Sequence, residues 1–262
     1  MFRTINFEGD ILQRLNHQFI HADPFSYVCI DGFLEYSIAA SLSENFPSLS
    51  QMDILYHGLN ENKGEHSSFK SLHVNFKNLR DELASRNFVK NIEIISGINS
   101  LQTINDRYGA GLHQEGNGSF LDIHIAYNLH PLERRQRRLN LIIFLNKNWQ
   151  EEWGRLPGVL ECHEYKCVTR IEPKFNRYVL FICNNISYHG YSHITCPASI
   201  TRKSFYFYFF SKPEKKLIYH DTVFAPAPND TFIHKYRVKA KEFLKNSIKQ
   251  LLYYSGLNKF LK

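Results

Sequence analysis

Two histidines and an arginine in the middle of the chain have types and spacings that suit metal chemistry. His124 lies in the stretch LDIHIAYNLHP (residues 121–131), His189 lies in NNISYHGYSH, and Arg202 follows 13 residues later at the start of RKSFYFYFF. Imidazoles from two different strands can occupy two corners of an octahedral iron site, and a carboxylate normally makes the third corner. An arginine beside such a site can grip a dicarboxylate through a bidentate pair of hydrogen bonds.

The position for that third corner holds a residue that cannot bind a metal. Residues two apart on a strand point to the same face, so Ala126 shares the face of His124. Asp122 shares it too, and we expect it to be a supporting polar residue rather than a substitute ligand. The chain has 13 histidines, and a lone histidine at a strand end is more often a hydrogen-bonded core residue than a ligand. The order and strand placement of the three residues carry more weight than any one of them.

The elements that must position these residues are predicted as a β core over residues 106–212. Short runs rich in β-branched and aromatic residues, broken by polar turns, are typical of an antiparallel sandwich or barrel. The Gly-rich stretch GAGLHQEGNGSF before the first run is predicted as a turn region. The runs are FLDIHIAYN, RLNLIIFLN, GVLECHEY, CVTRIEPK, RYVLFICN and RKSFYFYFFS.

Helices are predicted on both sides of the β core. Residues 1–105 are predicted to be mostly helical, with one helix in GFLEYSIAASLSENFPSL and a second, longer one in KNLRDELASRNFVKNIEIISGI. Residues 213–262 end in an amphipathic, lysine-rich tail, which we expect to be a surface helix. With no repeat or clear linker, residues 1–262 are predicted to form a single domain.

Composition and charge limit the classes of function. The chain is 43% hydrophobic and 15% aromatic, which predicts a sizeable core rather than disorder. The net charge of +7 favours anionic partners, although an ordinary basic surface explains it equally well. The run ERRQRR (residues 133–138) is interpreted as a solvated turn in preference to an anion site. No nucleic-acid-binding motif accompanies the charge.

The cysteines and the apolar runs bear on location. The chain has five cysteines and no CxxC pair, so we expect no disulfide framework and a cytoplasmic, reducing environment. A zinc site at Cys162, His163 and Cys167 lacks a second ligand pair and is not favoured. No apolar run approaches the roughly 20 residues of a membrane span, so no membrane partner is expected.

Several segments resemble the iron(II)- and 2-oxoglutarate-dependent dioxygenases of the prolyl 4-hydroxylase-like branch. The similarity covers most of the chain and implies a mainly β, α+β fold: a double-stranded β-helix, which is a jelly-roll variant, flanked by helices. The segments that carry it, in chain order, are PFSYVCIDGFLEYSIAASLSENFP, GAGLHQEGNGSFLDIHIAYNLHP, RRLNLIIFLNKNWQEEWG, NRYVLFICNNISYHGYSH and CPASITRKSFYFYFFS.

The resemblance implies roles position by position. His124 and His189 would be the iron(II) ligands, and Arg202 would bind the distal carboxylate of 2-oxoglutarate, helped by Ser204. Asn140 on a neighbouring strand is a further candidate for binding 2-oxoglutarate, and Tyr127 and Asn128 are candidates for the substrate pocket. The chain departs from the family pattern at Ala126, where an acidic residue is usual, and in WGRLPGVLEC, which replaces a Gly-Gly-x-Leu turn.

Three interpretations of Ala126 stay open at this point. The favoured one is a halogenase, because related iron(II)/2-oxoglutarate halogenases carry Ala or Gly where the carboxylate was. Chloride or bromide would then take the vacated position and restore the lost negative charge, and with O2 the enzyme would chlorinate an unactivated aliphatic carbon by hydrogen-atom abstraction and halogen rebound. The second interpretation is a hydroxylase whose Asp has been replaced, naturally or by engineering. The third is a non-catalytic binding protein.

The sequence does not select a substrate. The resemblance implies a small-molecule or carrier-tethered substrate, and the basic charge is compatible with an anionic one. The oligomeric state is not predicted.

Overall fold

The computed structural model describes residues 10–154, 157–160, 167–214, 217–226 and 231–257. Twelve strands form one antiparallel, curled sheet in the order β1-β9-β6-β11-β4-β3-β5-β10-β7-β8, with β2 paired to β3 and β12 to β5. The strands are β1 Tyr27–Asp31, β2 Ile54–His57, β3 Glu61–His66, β4 Ala110–Glu115, β5 Phe120–Ile125, β6 Gln136–Phe144, β7 Pro157–Leu160, β8 Cys167–Arg170, β9 Arg177–Ile182, β10 His189–Tyr191, β11 Arg202–Ser211 and β12 Val223–Phe224. The helices are α1 Ile11–Ile20, α2 Tyr36–Glu44, α3 Val74–Leu83, α4 Arg86–Ser96 and α5 Phe232–Tyr254.

Strand alternation separates the core from the cavity. Successive side chains of a strand point to opposite faces of the sheet. On β11, Phe205, Phe207 and Phe209 belong to the main hydrophobic core, together with Phe76 and Ile92 from the helices. The alternate residues of β11, which are Arg202, Ser204, Tyr206 and Tyr208, line the cavity on the inner face. One strand therefore holds the helices on one face and the site on the other.

The predicted fold class is confirmed: a mainly β, curled sheet with flanking helices. Three strands in the N-terminal part, β1, β2 and β3, were not predicted, because their short segments lack a clean alternation of apolar residues. The Gly-rich stretch predicted as a turn contains strand β4, whose residues pair with β11 and β3. Glycine is needed at position 111 because a Cβ there would lie 2.5 Å from the Tyr206 hydroxyl and 2.8 Å from the His66 carbonyl oxygen.

The long helix predicted between residues 77 and 98 is two helices. Helix α3 ends at Leu83 and α4 begins at Arg86, with the Ser85 hydroxyl accepting a hydrogen bond from the Phe88 N–H. This side-chain cap satisfies a backbone donor at the start of α4, which makes the break stable. Both helices pack their apolar faces on the sheet.

The predicted C-terminal helix is present as α5. Glu242 accepts a hydrogen bond from the Phe224 N–H and Lys245 donates to the Thr222 carbonyl, so α5 lies beside β12. Large apolar side chains on its outer side are exposed, among them Phe243 (76%) and Leu251 (71%). In the described part of the chain, no helix has the length and apolar character needed to cross a bilayer.

Candidate functional site

A cavity of about 690 Å³ lies inside the curl of the sheet. It brings together residues from β3, β4, β5, β6, β9, β10 and β11, and α5 forms part of its mouth. Of the residues predicted to form the site, those that line this cavity are His124, Ala126, Tyr127, Asn140, His189, Arg202 and Ser204.

His124 and His189 lie directly opposite each other on paired strands. They are register partners between β5 and β10, and their ring centroids are 4.3 Å apart with planes inclined by 51°. Two imidazoles bound at right angles to one ion through bonds of about 2.1 Å would have centroids roughly 4.6 Å apart. The observed spacing therefore fits two adjacent corners of one metal site.

Backbone carbonyls select the nitrogen that each histidine offers. Nδ1 of His124 lies 2.9 Å from the Asp122 carbonyl oxygen, and Nδ1 of His189 lies 2.9 Å from that of Ser187. A carbonyl only accepts, so Nδ1 carries the hydrogen and Nε2 carries the lone pair. This outer contact is the one that metal-bound histidines usually make, because it fixes the ring and the tautomer.

Both imidazoles are held in the neutral form that binds metals. Burial, followed by the charge of the other histidine, puts the pKa of His124 well below its usual range. Burial likewise lowers the pKa of His189 to about 4. Both lone pairs are therefore available at neutral pH.

Position 126 contributes no ligand. Ala126 follows β5 on the cavity side, and its methyl group cannot coordinate. Among the residues that the structure describes, no group of three His, Cys, Asp or Glu side chains is placed to hold a metal ion. Asp122 does not replace the missing carboxylate: it is not among the residues that line the cavity, and its Oδ2 accepts a hydrogen bond of 2.9 Å from Asn60.

Arg202 is buried and already meets a protein carboxylate. Its Nη1 lies 3.1 Å from Oε2 of Glu115, the register partner of Arg202 on β4. Burial raises the pKa of Glu115, against the opposing effect of the Arg202 charge. Glu115 therefore occupies one end of the guanidinium, while Nε has no hydrogen-bond partner.

The rest of the Arg202 environment suits 2-oxoglutarate. Arg202 Nε and Asn140 Oδ1 are buried and have no hydrogen-bond partner in the structure. Ser204, which is 2% exposed, lines the same cavity. Buried polar atoms without partners are rare and need an explanation, and a bound polar ligand is one. These residues therefore fit a carboxylate-bearing group beside the two histidines.

The two substrate-pocket predictions have different outcomes. Tyr127 lines the cavity, and its hydroxyl donates to the Tyr108 carbonyl. The side chain of Asn128 is placed elsewhere: its nitrogen donates to the Ile218 carbonyl and its oxygen accepts from the His220 N–H. Asn128 is not among the residues that line the cavity, because these bonds tie it to the segment before β12.

Sequence reasoning missed Arg137, which lies in the basic run ERRQRR. The prediction that this run is a solvated turn is wrong for Arg137, which is 3% exposed and lines the cavity. A β-bulge causes this. Phe209 pairs with Leu139 and Phe210 pairs with Arg137, so Arg138 is the extra residue and Arg137 takes the inward position. Arg138 instead pairs with Glu214 at the surface.

Aromatic rings hold the Arg137 guanidinium. Its Cζ lies 3.5 Å from the ring centroid of Tyr208 and 4.7 Å from that of Tyr127. Cation–π contacts contribute about 2 kcal/mol when desolvated, whereas burying an ion costs several kcal/mol. The rings therefore compensate the burial of this charge only in part.

Gly190 keeps the two histidine strands close together. A Cβ at position 190 would lie 2.6 Å from the Leu121 carbonyl oxygen and 3.0 Å from the Asp122 carbonyl, which are backbone atoms of β5. We expect Gly190→Ala to push β10 away from β5 and weaken iron(II) binding by about 10–100-fold, the range caused by the loss of an outer contact. Anaerobic titration with iron(II) measures this.

A matched glycine tests whether the effect is specific. A Cβ on Gly116 would meet only the Leu49 side chain, at 3.6 Å, which is ordinary van der Waals contact. Gly116→Ala should therefore leave iron(II) affinity unchanged. Equal affinities for the Gly190→Ala protein and the wild type would contradict the role assigned to this close strand contact.

Comparison with protein families places the β core in a class. Residues 110–210 match the model described as the 2OG-Fe(II) oxygenase superfamily. This range runs from β4 to β11 and includes both histidines and Arg202. The β core therefore matches the model of this superfamily, in agreement with the resemblance noted in the sequence. A comparison of the whole chain with curated proteins finds no match.

Solved structures support the same fold. A prolyl-4-hydroxylase from Pseudomonas putida superposes with a TM-score of 0.54 over 78% of this chain and 100% of its own, at 13% identity. A prolyl hydroxylase from Trichoplax adhaerens, solved with a hypoxia inducible factor peptide fragment, gives a TM-score of 0.52 over 76% of this chain and 90% of its own, at 16% identity. At these identities the likeness establishes the fold alone.

Two features noted in the sequence fall outside the described residues. Residues 155–156 of the unusual turn and residues 161–166, which include Cys162 and His163, are not described.

Proposed function

We propose that this protein is an iron(II)/2-oxoglutarate-dependent halogenase that acts on an aliphatic carbon of a small or carrier-bound metabolite. The observation that carries the proposal is the pair of neutral, carbonyl-oriented histidines next to Ala126. The superfamily match supports the coarser class, an oxidoreductase that uses iron(II), 2-oxoglutarate and O2. The halide is the additional element, and it rests on the alanine.

Different residues of the cavity would bind the metal and the 2-oxoglutarate. When bound, iron(II) with 2-oxoglutarate and O2 supplies the oxidising chemistry that removes a hydrogen atom from carbon and, with a halide at the metal, delivers a halogen atom. His124 and His189 would hold the metal through Nε2. Arg202, with Asn140 and Ser204, would bind and orient the 2-oxoglutarate carboxylate.

Charge supports a halide beside Ala126. Neutral histidines leave the two positive charges of iron(II) uncompensated. One carboxylate of 2-oxoglutarate would pair with Arg202, so only the other would offset the charge of the metal. Position 126 then neither supplies charge nor fills space. A small anion would replace both the charge and the volume of the carboxylate that is usual at this position. The alanine side chain is small enough to leave room for it. The surrounding aromatic rings, such as Phe181 at 4.9 Å from the His189 ring, would help to keep water out.

An anaerobic titration tests the proposal. Protein loaded with iron(II) and 2-oxoglutarate is followed by visible absorption with and without chloride. We expect a metal-to-ligand charge-transfer band that shifts or strengthens as chloride is added, with bromide acting in the same way. Gluconate replaces chloride at equal ionic strength as the control.

The other outcomes identify the alternatives. A band that ignores chloride would favour a 2-oxoglutarate-dependent hydroxylase in which alanine has replaced the metal-ligand aspartate. No band at all would favour a binding protein that keeps the fold without the chemistry.

A further inference from the structure

Arg137 is the buried charge of the cavity that the proposed cofactors do not use. Its Nε is buried and has no hydrogen-bond partner. Among the residues that the structure describes, no carboxylate forms an ion pair with it. Its guanidinium lies in the corner between the rings of Tyr127 and Tyr208, which are inclined at 85° to each other. A buried arginine cannot lose its charge, so the charge needs a partner.

The acidic side chains of the cavity have partners within the protein. Within the described part of the chain, each acidic side chain that lines the cavity has its own partner. The pairs are Glu61 with Lys63, Glu65 with the Tyr206 hydroxyl, Glu115 with Arg202, Asp221 with Lys249 and Glu242 with Lys245.

Three basic side chains of the cavity are left without a described carboxylate. Arg107 and Lys241 are exposed to solvent, which screens their charges. Arg137 is buried, and its charge acts on both candidate iron ligands. Among the described residues, Arg137 is therefore the buried positive charge of the cavity that has no carboxylate partner.

We propose that Arg137 binds the carboxylate of a second organic acid, which is the substrate of the enzyme. This inference rests on the proposed function and names its substrate class. A guanidinium favours a planar carboxylate, which it can bind through two parallel hydrogen bonds. The cavity also has an apolar lining, which includes Ile142, Val179 and Phe181, and the carbon chain of the acid would lie against it. Arg137 would thus anchor the acid group and direct the aliphatic part of the molecule into the cavity.

Binding of a simple acid and its neutral isostere tests the inference without turnover. The protein is loaded anaerobically with iron(II) and 2-oxoglutarate, and hexanoate or hexanamide is titrated by ligand-observed NMR, which suits millimolar affinities. We expect hexanoate to bind the wild type at least 10-fold more tightly than hexanamide. Arg137→Met should abolish this preference, and Arg137→Lys should keep part of it.

The neighbouring arginine provides the matched control. Arg138 is the next residue but pairs with Glu214 at the surface, so Arg138→Met should bind hexanoate like the wild type. Without ligands, Arg137→Met should unfold at the same denaturant concentration as the wild type or a higher one, because it removes an uncompensated buried charge. A marked loss of stability would indicate a structural arginine and overturn the inference.

The remaining outcomes separate the two proposals. If hexanoate and hexanamide bind equally to the wild type, or neither binds, Arg137 is not a carboxylate anchor. If Arg137→Met abolishes the 2-oxoglutarate band while Arg202→Met preserves it, Arg137 serves the cosubstrate and the second acid is excluded. If hexanoate binding depends on Arg137 but the charge-transfer band does not change with chloride, the role of Arg137 is supported and the halogenase proposal is wrong.

Discussion

Replacing His189 with alanine should abolish the iron(II)/2-oxoglutarate charge-transfer band and all consumption of 2-oxoglutarate. The site offers two imidazoles in register on β5 and β10, and the described residues provide no third ligand. Losing an outer contact of a metal site lowers affinity by about 10–100-fold, so losing one of two protein ligands should lower iron(II) affinity at least about 100-fold. Isothermal titration with iron(II) in the absence of O2 measures this, and His124→Ala should give the same result.

A buried histidine outside the cavity serves as the control. His66 is 4% exposed and its Nε2 lies 3.0 Å from the Ser68 carbonyl oxygen, away from the cavity lining. His66→Gln should keep iron(II) affinity and the band, even where it lowers the free energy of unfolding. If the His189→Ala protein still consumed 2-oxoglutarate, the proposal that the two histidines bind iron(II) would be wrong.

Replacing Ala126 with aspartate should remove the chloride response. The new carboxylate would supply the missing ligand and place a negative charge where the halide is proposed to bind. At 4 Å and an effective dielectric constant of about 20, two like charges repel by about 4 kcal/mol. We therefore expect chloride affinity to fall at least about 100-fold, while iron(II) affinity stays equal or rises. Titration of the charge-transfer band with chloride measures the first quantity, and anaerobic titration with iron(II) measures the second.

Asparagine at the same position separates charge from size. The asparagine side chain of Ala126→Asn has the shape of aspartate without its charge. It should therefore lower chloride affinity by crowding, but it should not raise iron(II) affinity. Ala126→Gly keeps the position vacant and should preserve the chloride response. A chloride response in Ala126→Asp that equals the wild type would place the halide elsewhere and refute the role of the alanine.

The β core was predictable because its strands carry strong local signals. RKSFYFYFFS and RLNLIIFLN are long aromatic and β-branched runs, and both are strands, β11 and β6. Strand β4 was missed because its sequence, AGLHQE, has the Gly content of a turn, and only pairing with β11 and β3 makes it a strand. The polar strand β3, ENKGEH, was missed for the same reason, since tertiary pairing decided against local propensity.

The site was predictable only where single positions carry the chemistry. His124, His189 and Arg202 were found from their order, and all three line one cavity. The Glu115–Arg202 pair depends on the register between β4 and β11, which no local pattern reveals. Arg137 was misjudged because a run of arginines resembles a solvated turn, and its burial depends on an irregularity in the ladder.

The β-bulge at Arg138 also means that Arg137 would keep its inward position if β6 lost a residue. When a residue is deleted from a regular strand, each side chain beyond the deletion moves to the opposite face of the sheet. Here two consecutive arginines stand opposite one residue of β11, so a deletion of Arg138 would straighten the strand and still leave Arg137 facing inward. In evolutionary terms, β6 could lose one residue at this point, and the cavity would keep its positive charge.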